Sequence, residues 1–428
     1  MPSLELLRAR ARAQLEANSR EATLNGRRHR FTVPAVASYP FQWFWDSCFH
    51  AIAWVHFDVE RAADELRALL AWQRPNGFIP HVVFWDRRHT MNRSWHWLES
   101  RAWVGAPFVP VAAGKPATSE LIQPPVLAQA LERVFDAGGG DEVLRDLLPG
   151  VTRYHRWLLA ERDADDDGLV SIVAPSESGL DFSPAYDAAL GLTRNPGALR
   201  LNAAMRLVTL RNKLRGWSAH RILHAPGSFA VEDVLVNSCL IAGLTALARL
   251  AEAAGDTEDA AWAGAQAERS LDALLERSYD PAAGTFWNLN GPYEEPATVH
   301  TIVSLMPLML RMLPRAVAEE LVDGQLTRPD RFWPRYPVPS VALHEPEFRA
   351  DSRVDGRERI WRGGTWVNTN WFLVHGLRQH GFDDEANEIR AATLELIERH
   401  GFREYFDPLN GAPGGAQGFG WSTLAIDL

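Results

Sequence analysis

Cysteine is nearly absent from this chain of 428 residues, with Cys48 and Cys239 the only two. A disulfide framework or a CxxC zinc pair is therefore excluded, and buried reduced thiols are expected. Runs of positive charge are also missing. The formal net charge is −10, and basic residues gather only in short pairs such as Arg27-Arg28 and Arg87-Arg88. Without a basic patch there is no electrostatic footprint for nucleic acid or an anionic membrane, so neither is expected as a partner. Long apolar runs are missing too. The opening MPSLELLRARARAQLEANSR carries arginines throughout and no apolar core of signal-peptide type, and no later stretch holds the roughly 18 uninterrupted apolar residues of a membrane span. A cytoplasmic protein is expected, with homo-oligomerisation left open.

What is abundant is tryptophan, with 17 residues. Trp43, Trp45, Trp54, Trp72, Trp85, Trp95, Trp97 and Trp103 crowd into the first quarter of the chain, many beside loop residues rather than within helical patterns. Any one of them could be core. As a group they point to carbohydrate, because the C–H face of a pyranose packs on an indole while its hydroxyls reach polar neighbours.

Helical periodicity dominates the rest. Val231–Ala254 has a broad apolar face before Gly255, and the stretch after Asp383-Asp384 carries Ile389, Thr393, Leu396 and Ile397 before Gly401. Similar patterns cover about 4–18, 58–73, 124–137, 141–161, 258–277, 299–313 and 368–380, and a further helix starts near Ser47. Turns at Asp163–Gly168, Asp280–Gly284 and Asp407–Gly411 each follow a long helix. These weak repeats suit helical hairpins arranged around an axis. No Gly/Ser/Pro-rich linker divides the chain. An all-α single domain spanning 1–428 is expected, with a helical insertion at about 185–225.

Two patterns suggest metal binding and neither is complete. The DADDDG turn at Asp163–Gly168 resembles the start of an EF-hand loop, but the twelfth position is Ala174 instead of a bidentate Glu. His220 and His224 have the spacing of helical ligands without an adjacent HExxH-type Glu. No metal and no cofactor are expected.

Glycoside hydrolysis needs two carboxyl groups flanking the scissile bond. Candidates should project from rigid, aromatic, non-helical surroundings. In Pro175–Pro184, two prolines and a glycine stop helix formation, so Asp181 must project from a loop, and Phe182 would help desolvate it. In Phe402–Gly411, Glu404 follows the Gly401 helix stop among aromatics, whereas Asp407, before Pro408, suits a turn. Asp46, in QWFWD, could be either a sugar ligand or the N-cap of the helix that follows.

Together QWFWDSCFHA (42–51), NGFIPH (76–81), SESGLDFSP (176–184), WRGGTWVN (361–368), EYFDPLNG and GFGWS (404–422) resemble glycoside hydrolase family 63 over nearly the whole chain. That resemblance implies an inverting α-glycosidase on an (α/α)6 barrel, with Asp181 as general acid and Glu404 as general base. It also implies sugar contacts from Trp45, Asp46, Gly179, Trp361, Trp366 and Gln417, to which Trp43 and Arg362 of the same motifs, and Tyr39 just before the first of them, are added as substrate-binding candidates. This chain has WRGG where WRGP is more usual. The short bacterial members that it most resembles act on mannosylglycerate or glucosylglycerate, so a small-molecule glycoside is the expected partner. For the glycerate carboxylate, Gln123, Tyr336 and an arginine of the insertion, Arg211 or Arg215, are the candidates. Alternatives are an α-glycosidase for a neutral disaccharide, of trehalase or α-glucosidase type, and a helical-barrel sugar epimerase.

Overall fold

The computed structural model describes residues 4–85, 98–99 and 118–428. Trp95, Trp97 and Trp103, and the Arg87-Arg88 pair, lie outside the described residues.

In chain order come α1 (Leu4–Asn18), the hairpin strands β1 (Ser19–Leu24) and β2 (Arg27–Thr32), α2 (Phe44–Trp54), α3 (Val59–Leu70), α4 (Leu127–Val134) and α5 (Gly140–Arg162). Then follow α6 (Ala198–Leu214), α7 (Ala219–Leu223), α8 (Val234–Ala253), α9 (Thr257–Ala273), a 3₁₀ helix Ile302–Met309, α10 (Arg315–Leu321), α11 (Val367–Gln379), α12 (Asp383–His400) and a second 3₁₀ helix, Gly420–Ile426.

Six of these close a ring. α2 packs on α4, α4 on α8, α8 on Ile302–Met309, that helix on α11, α11 on Gly420–Ile426, and the last back on α2. Each ring member carries an outer partner: α3, α5, α9, α10 and α12 in turn, with α1 covering Gly420–Ile426. The two ends of the chain thus pair to complete an (α/α)6 barrel.

The sequence explains which helices go inside. Every residue of α2 is buried, as an all-round apolar helix must be. α8 is long and apolar enough by length and composition to cross a bilayer, but it is mostly buried among its neighbours in the ring. α3, by contrast, buries one face through Ala62, Ala63, Leu66 and Leu69. Aspartates start several members: Asp58 accepts from the N–H of Arg61, Asp233 from Val236 and Asp256 from Asp259. Each such cap stabilises its helix by about 1 kcal/mol.

Turns from inner to outer helices are short, at 55–58, 254–256, 310–314 and 380–382, whereas the returns from outer to inner helices are long. Inner and outer helices alternate, so all the long returns emerge at one end, over the N-termini of the inner helices. Small antiparallel ribbons tie them together. One sheet runs in the order Glu295–Pro296, Leu289–Asn290, Val231–Glu232, Ser171–Ile172, and separate pairs join Gln42–Trp43 to Val82–Val83 and Arg403–Phe406 to Pro413–Gln417. The turns at Asp163–Gly168, Asp280–Gly284 and Asp407–Gly411 each begin one of these returns, which is the origin of their repetition.

Two local expectations change. The helix expected over 299–313 is a 3₁₀ helix confined to Ile302–Met309, and it contains Pro307, which has no N–H to donate. The β1–β2 hairpin, absent from the helical reading, turns on Asn25-Gly26 at φ 51° and 78°, values natural to that dipeptide. α6 and α7 lie in the return from α5 to α8, within the span read as an insertion.

Candidate active site

A cavity of about 600 Å³ sits among the long returns. Its deep wall is made by Trp45 and Asp46 in the first turn of α2 and by Trp421 at the start of the last 3₁₀ helix. The returns supply Tyr39, Trp43, His81, Gln123, Gly179, Asp181, Phe182, Arg359, Trp361, Glu404 and Phe419. This volume suits a small-molecule ligand.

Asp181 is placed by its neighbour Glu177. Arg162 grips Glu177 through two bonds of 2.7 and 2.6 Å, and the carboxylate also accepts from the N–H groups of Ile122 and Val173. Glu177 is therefore a structural anion that fixes the turn. Beyond it the chain reverses at Gly179, φ 72°, where an added Cβ would lie 2.5 Å from the Trp45 ring. Glycine lets the loop lie flat on the indole and aim Asp181 into the cavity. Burial, and then the charge of Glu99, push the Asp181 carboxyl up to about 7, against the effect of its own backbone N–H.

Glu404 stands on the strand Arg403–Phe406. The Tyr39 hydroxyl donates to its Oε1 at 3.0 Å and the Ala416 N–H to its Oε2 at 2.7 Å. The return strand passes so close that a Cβ on Gly415, φ 62°, would collide with the carboxylate. Burial raises Glu404 to about 7, and the Ala416 and Tyr39 hydrogen bonds hold it back from going higher. The Tyr39 phenol is itself pushed well above its ordinary range, chiefly by burial and then by the Glu404 charge, so Tyr39 stays a donor.

Asp46 is not the cap of α2, because Trp43 occupies that position. It is 3 % exposed, and among the described residues its Oδ1 has no hydrogen-bond partner. Burial, followed by Glu404, raises its carboxyl strongly. The aromatic walls are braced: Trp361 stacks on Trp366 at 3.6 Å, Trp45 meets Trp421 edge-on at 5.4 Å, and Trp43 meets His81 at 5.2 Å. Gln123 accepts from the Trp45 N–H at 3.1 Å.

Among the described residues that line the cavity, Arg359 is the one guanidinium. Its Nη1 and Nη2 donate to the carbonyls of Glu358 and Ala198, its guanidinium lies 5.1 Å from the Phe182 ring, and its buried Nε has no hydrogen-bond partner. Among the described residues it forms no ion pair, and burial, then Arg357 and Arg362, lower its pKa.

Of the substrate-binding candidates, Tyr39, Trp43, Trp45, Asp46, Gln123, Gly179 and Trp361 line the cavity together with Asp181 and Glu404. Four do not. Trp366 lies behind Trp361, and Arg362 is turned away into a buried ion pair of 2.5 Å with Asp187. The Tyr336 hydroxyl donates to Glu395 at 2.7 Å and accepts from Arg399 at 2.6 Å, and Gln417 is exposed on the return strand. Arg211 is exposed and Arg215 half-buried, and neither lines the cavity. α6 presents Asn202, Met205 and Thr209 instead, three positions on one helical face. Absent from the expected set are His81, Glu99, Arg359, Phe419 and Trp421. His81, Phe419 and Trp421 fall inside motifs already singled out, whereas nothing in the sequence marks Arg359.

A helical barrel with three raised carboxyls, Asp46, Asp181 and Glu404, lining one tryptophan-rich cavity defines a glycoside hydrolase. Residues 39–422 match the family described as the mannosylglycerate hydrolase MGH1-like glycoside hydrolase domain, and the chain belongs to that family, within glycoside hydrolase family 63. It is 33 % identical to a mannosylglycerate hydrolase of Thermus thermophilus, over 96 % of this chain and 97 % of the relative. A glucosylglycerate hydrolase of Mycolicibacterium hassiacum is 27 % identical, over 92 % and 93 %. A solved mannosylglycerate hydrolase structure from Thermus thermophilus, in complex with Tris and D-glycerate, superposes with a TM-score of 0.82 at 32 % identity, covering 98 % of this chain and 99 % of the other.

Proposed function

We propose that this enzyme cleaves a hexosyl-glycerate, 2-O-α-mannosylglycerate or glucosylglycerate, to free sugar and glycerate with inversion at the anomeric carbon. Asp181 donates a proton to the glycosidic oxygen as the C–O bond breaks. Glu404 removes a proton from the water that attacks the opposite face. The observation that carries this reading is a difference in partners between two carboxyls of one cavity that are both raised to about 7. Glu404 is held by two donors that favour its ionised form, while Asp181 stands near the negative charge of Glu99, which favours its protonated form.

Tyr39, Trp43, Trp45, Asp46, Gln123, Gly179 and Trp361 surround the sugar in this proposal. Arg359 reads the glycerate carboxylate in place of the insertion arginines, because a buried guanidinium with no ion pair among the described residues is matched by a ligand that brings an anion. The chain acts as one catalytic domain in the cytoplasm.

Incubation of the pure enzyme with mannosylglycerate, glucosylglycerate and trehalose, with proton NMR of the anomeric signal in the first minutes, tests the reading. Release of the β sugar first from a hexosyl-glycerate is expected. An initial α product would overturn inversion, and cleavage of trehalose alone would overturn the substrate.

A further inference from the structure

Away from the cavity, the buried group with least explanation is Glu232. It lies on the strand Val231–Glu232, between Ser171–Ile172 and Leu289–Asn290. The residue is 6 % exposed, and its Oε2 has no hydrogen-bond partner among the described residues. Its carboxylate faces those of Asp167 and Glu294, and the three offer oxygens that all lie within 4.8 Å of one another. Asp167 also belongs to a second trio, with Asp163 and Asp165, whose oxygens likewise lie within 4.8 Å of one another.

Counter-charge here is short. Arg269 pairs with Asp163 and Asp166, and Arg277 with Asp167 and Glu294. Among the described residues no cation forms an ion pair with Glu232 or Asp165. Two guanidinium groups thus serve six carboxylates.

We infer that Asp167, Glu232 and Glu294 hold a divalent cation of the calcium type, with Asp163 and Asp165 adding negative charge from the turn. Calcium binds oxygen at about 2.3–2.6 Å, so ligands across the ion from each other stand up to about 5 Å apart, and each trio keeps its oxygens within that limit. The donors are all carboxylate oxygens, a set that selects a hard cation. Magnesium, which keeps several waters and demands octahedral geometry, is less suited to an all-protein cage.

The sequence argument against an EF-hand-like site is Ala174 at the twelfth position of the turn. Glu232, from a neighbouring strand, brings in space the carboxylate that the loop lacks in sequence. From this turn the chain runs through Ser171–Ile172 to Glu177 and Asp181, and the residue after Glu232, Asp233, accepts from the Tyr186 hydroxyl at 2.7 Å. A cation at this point would join the acid-bearing return to the start of α8.

The test uses the full chain, stripped with chelator, titrated calorimetrically with calcium chloride and in parallel with magnesium chloride, and followed by thermal unfolding. Saturable calcium binding, tighter than magnesium binding, and a rise of about 2 °C or more in the unfolding midpoint are expected. Glu232→Gln and the half-buried Glu294→Gln should each weaken calcium binding at least about tenfold. Glu294→Gln decides the matter if Glu232→Gln fails to fold. Absence of saturable calcium binding to the wild type, or undiminished binding in the folded variants, would overturn the proposal.

Discussion

Tyr39 and Glu404 are joined by one hydrogen bond of 3.0 Å in which the phenol is the donor. The bond favours the Glu404 carboxylate over the acid, the form that a general base requires. Tyr39→Phe removes it while keeping the ring against Trp43 and Phe419. The Glu404 pKa should rise above its value of about 7, so the acid limb of the kcat/KM profile moves to higher pH by about one unit. An unmoved limb would mean that Glu404 is not the titrating base.

Asp181→Asn and Glu404→Gln should each lower kcat by about 10²–10⁴ in a folded protein, as loss of a general acid or base does. Stability should move the other way. Both folded-state pKa values are raised to about 7, so between about pH 4 and 7 the folded chain binds more protons than the unfolded chain. Their contribution to stability is therefore present at low pH and lost as pH rises through 7. Thermal melts from pH 4 to 8 should show a shallower decline in each variant than in the wild type, and an equal decline would remove that carboxyl from the linkage.

The barrel and its two carboxyl-bearing returns are legible because each leaves a local mark: apolar periodicity with Gly stops for α8 and α12, and helix breakers beside aromatics around Asp181 and Glu404. Long-range choices leave no such mark. Trp361 and Trp366 share one motif, yet only the cavity shows that Trp361 faces in and Trp366 braces it from behind. Arg362 and Arg359 are three residues apart in the same segment. Their roles separate only because Asp187, brought in from another return, neutralises the first. The hairpin at Asn25-Gly26 has its turn dipeptide in the sequence, but charged residues without apolar alternation flank it and hide the strands.

Asp46 carries a buried carboxyl whose Oδ1 has no hydrogen-bond partner among the described residues, which suits an acceptor waiting for sugar hydroxyls. Asp46→Asn should raise KM and lower kcat together, with kcat/KM down about tenfold or more, if the contact strengthens in the transition state. Because Trp43 rather than Asp46 caps α2, helix content by circular dichroism should stay unchanged. Lost helix with intact KM would return Asp46 to a structural role.

Arg359 offers the sharpest separation of sugar from leaving group. Its head groups rest on two backbone carbonyls, which orient the guanidinium without neutralising it. The whole-chain charge of −10 does not attract an anion, so a glycerate carboxylate must find local positive charge, which Arg359 supplies in the proposed reading. A charge-assisted hydrogen bond contributes about 1.5–3 kcal/mol, so Arg359→Gln should reduce kcat/KM for the hexosyl-glycerate by at least about tenfold. The matching α-glycoside of glycerol lacks the anion and should be a poor substrate for the wild type, with little further loss in the variant. Arg359→Lys keeps the charge but not the planar fork and should fall between the two. Equal losses on both substrates would make Arg359 a wall of the cavity with no part in reading the carboxylate, and equal wild-type kcat/KM for glycerol and glycerate substrates would favour a neutral glycoside.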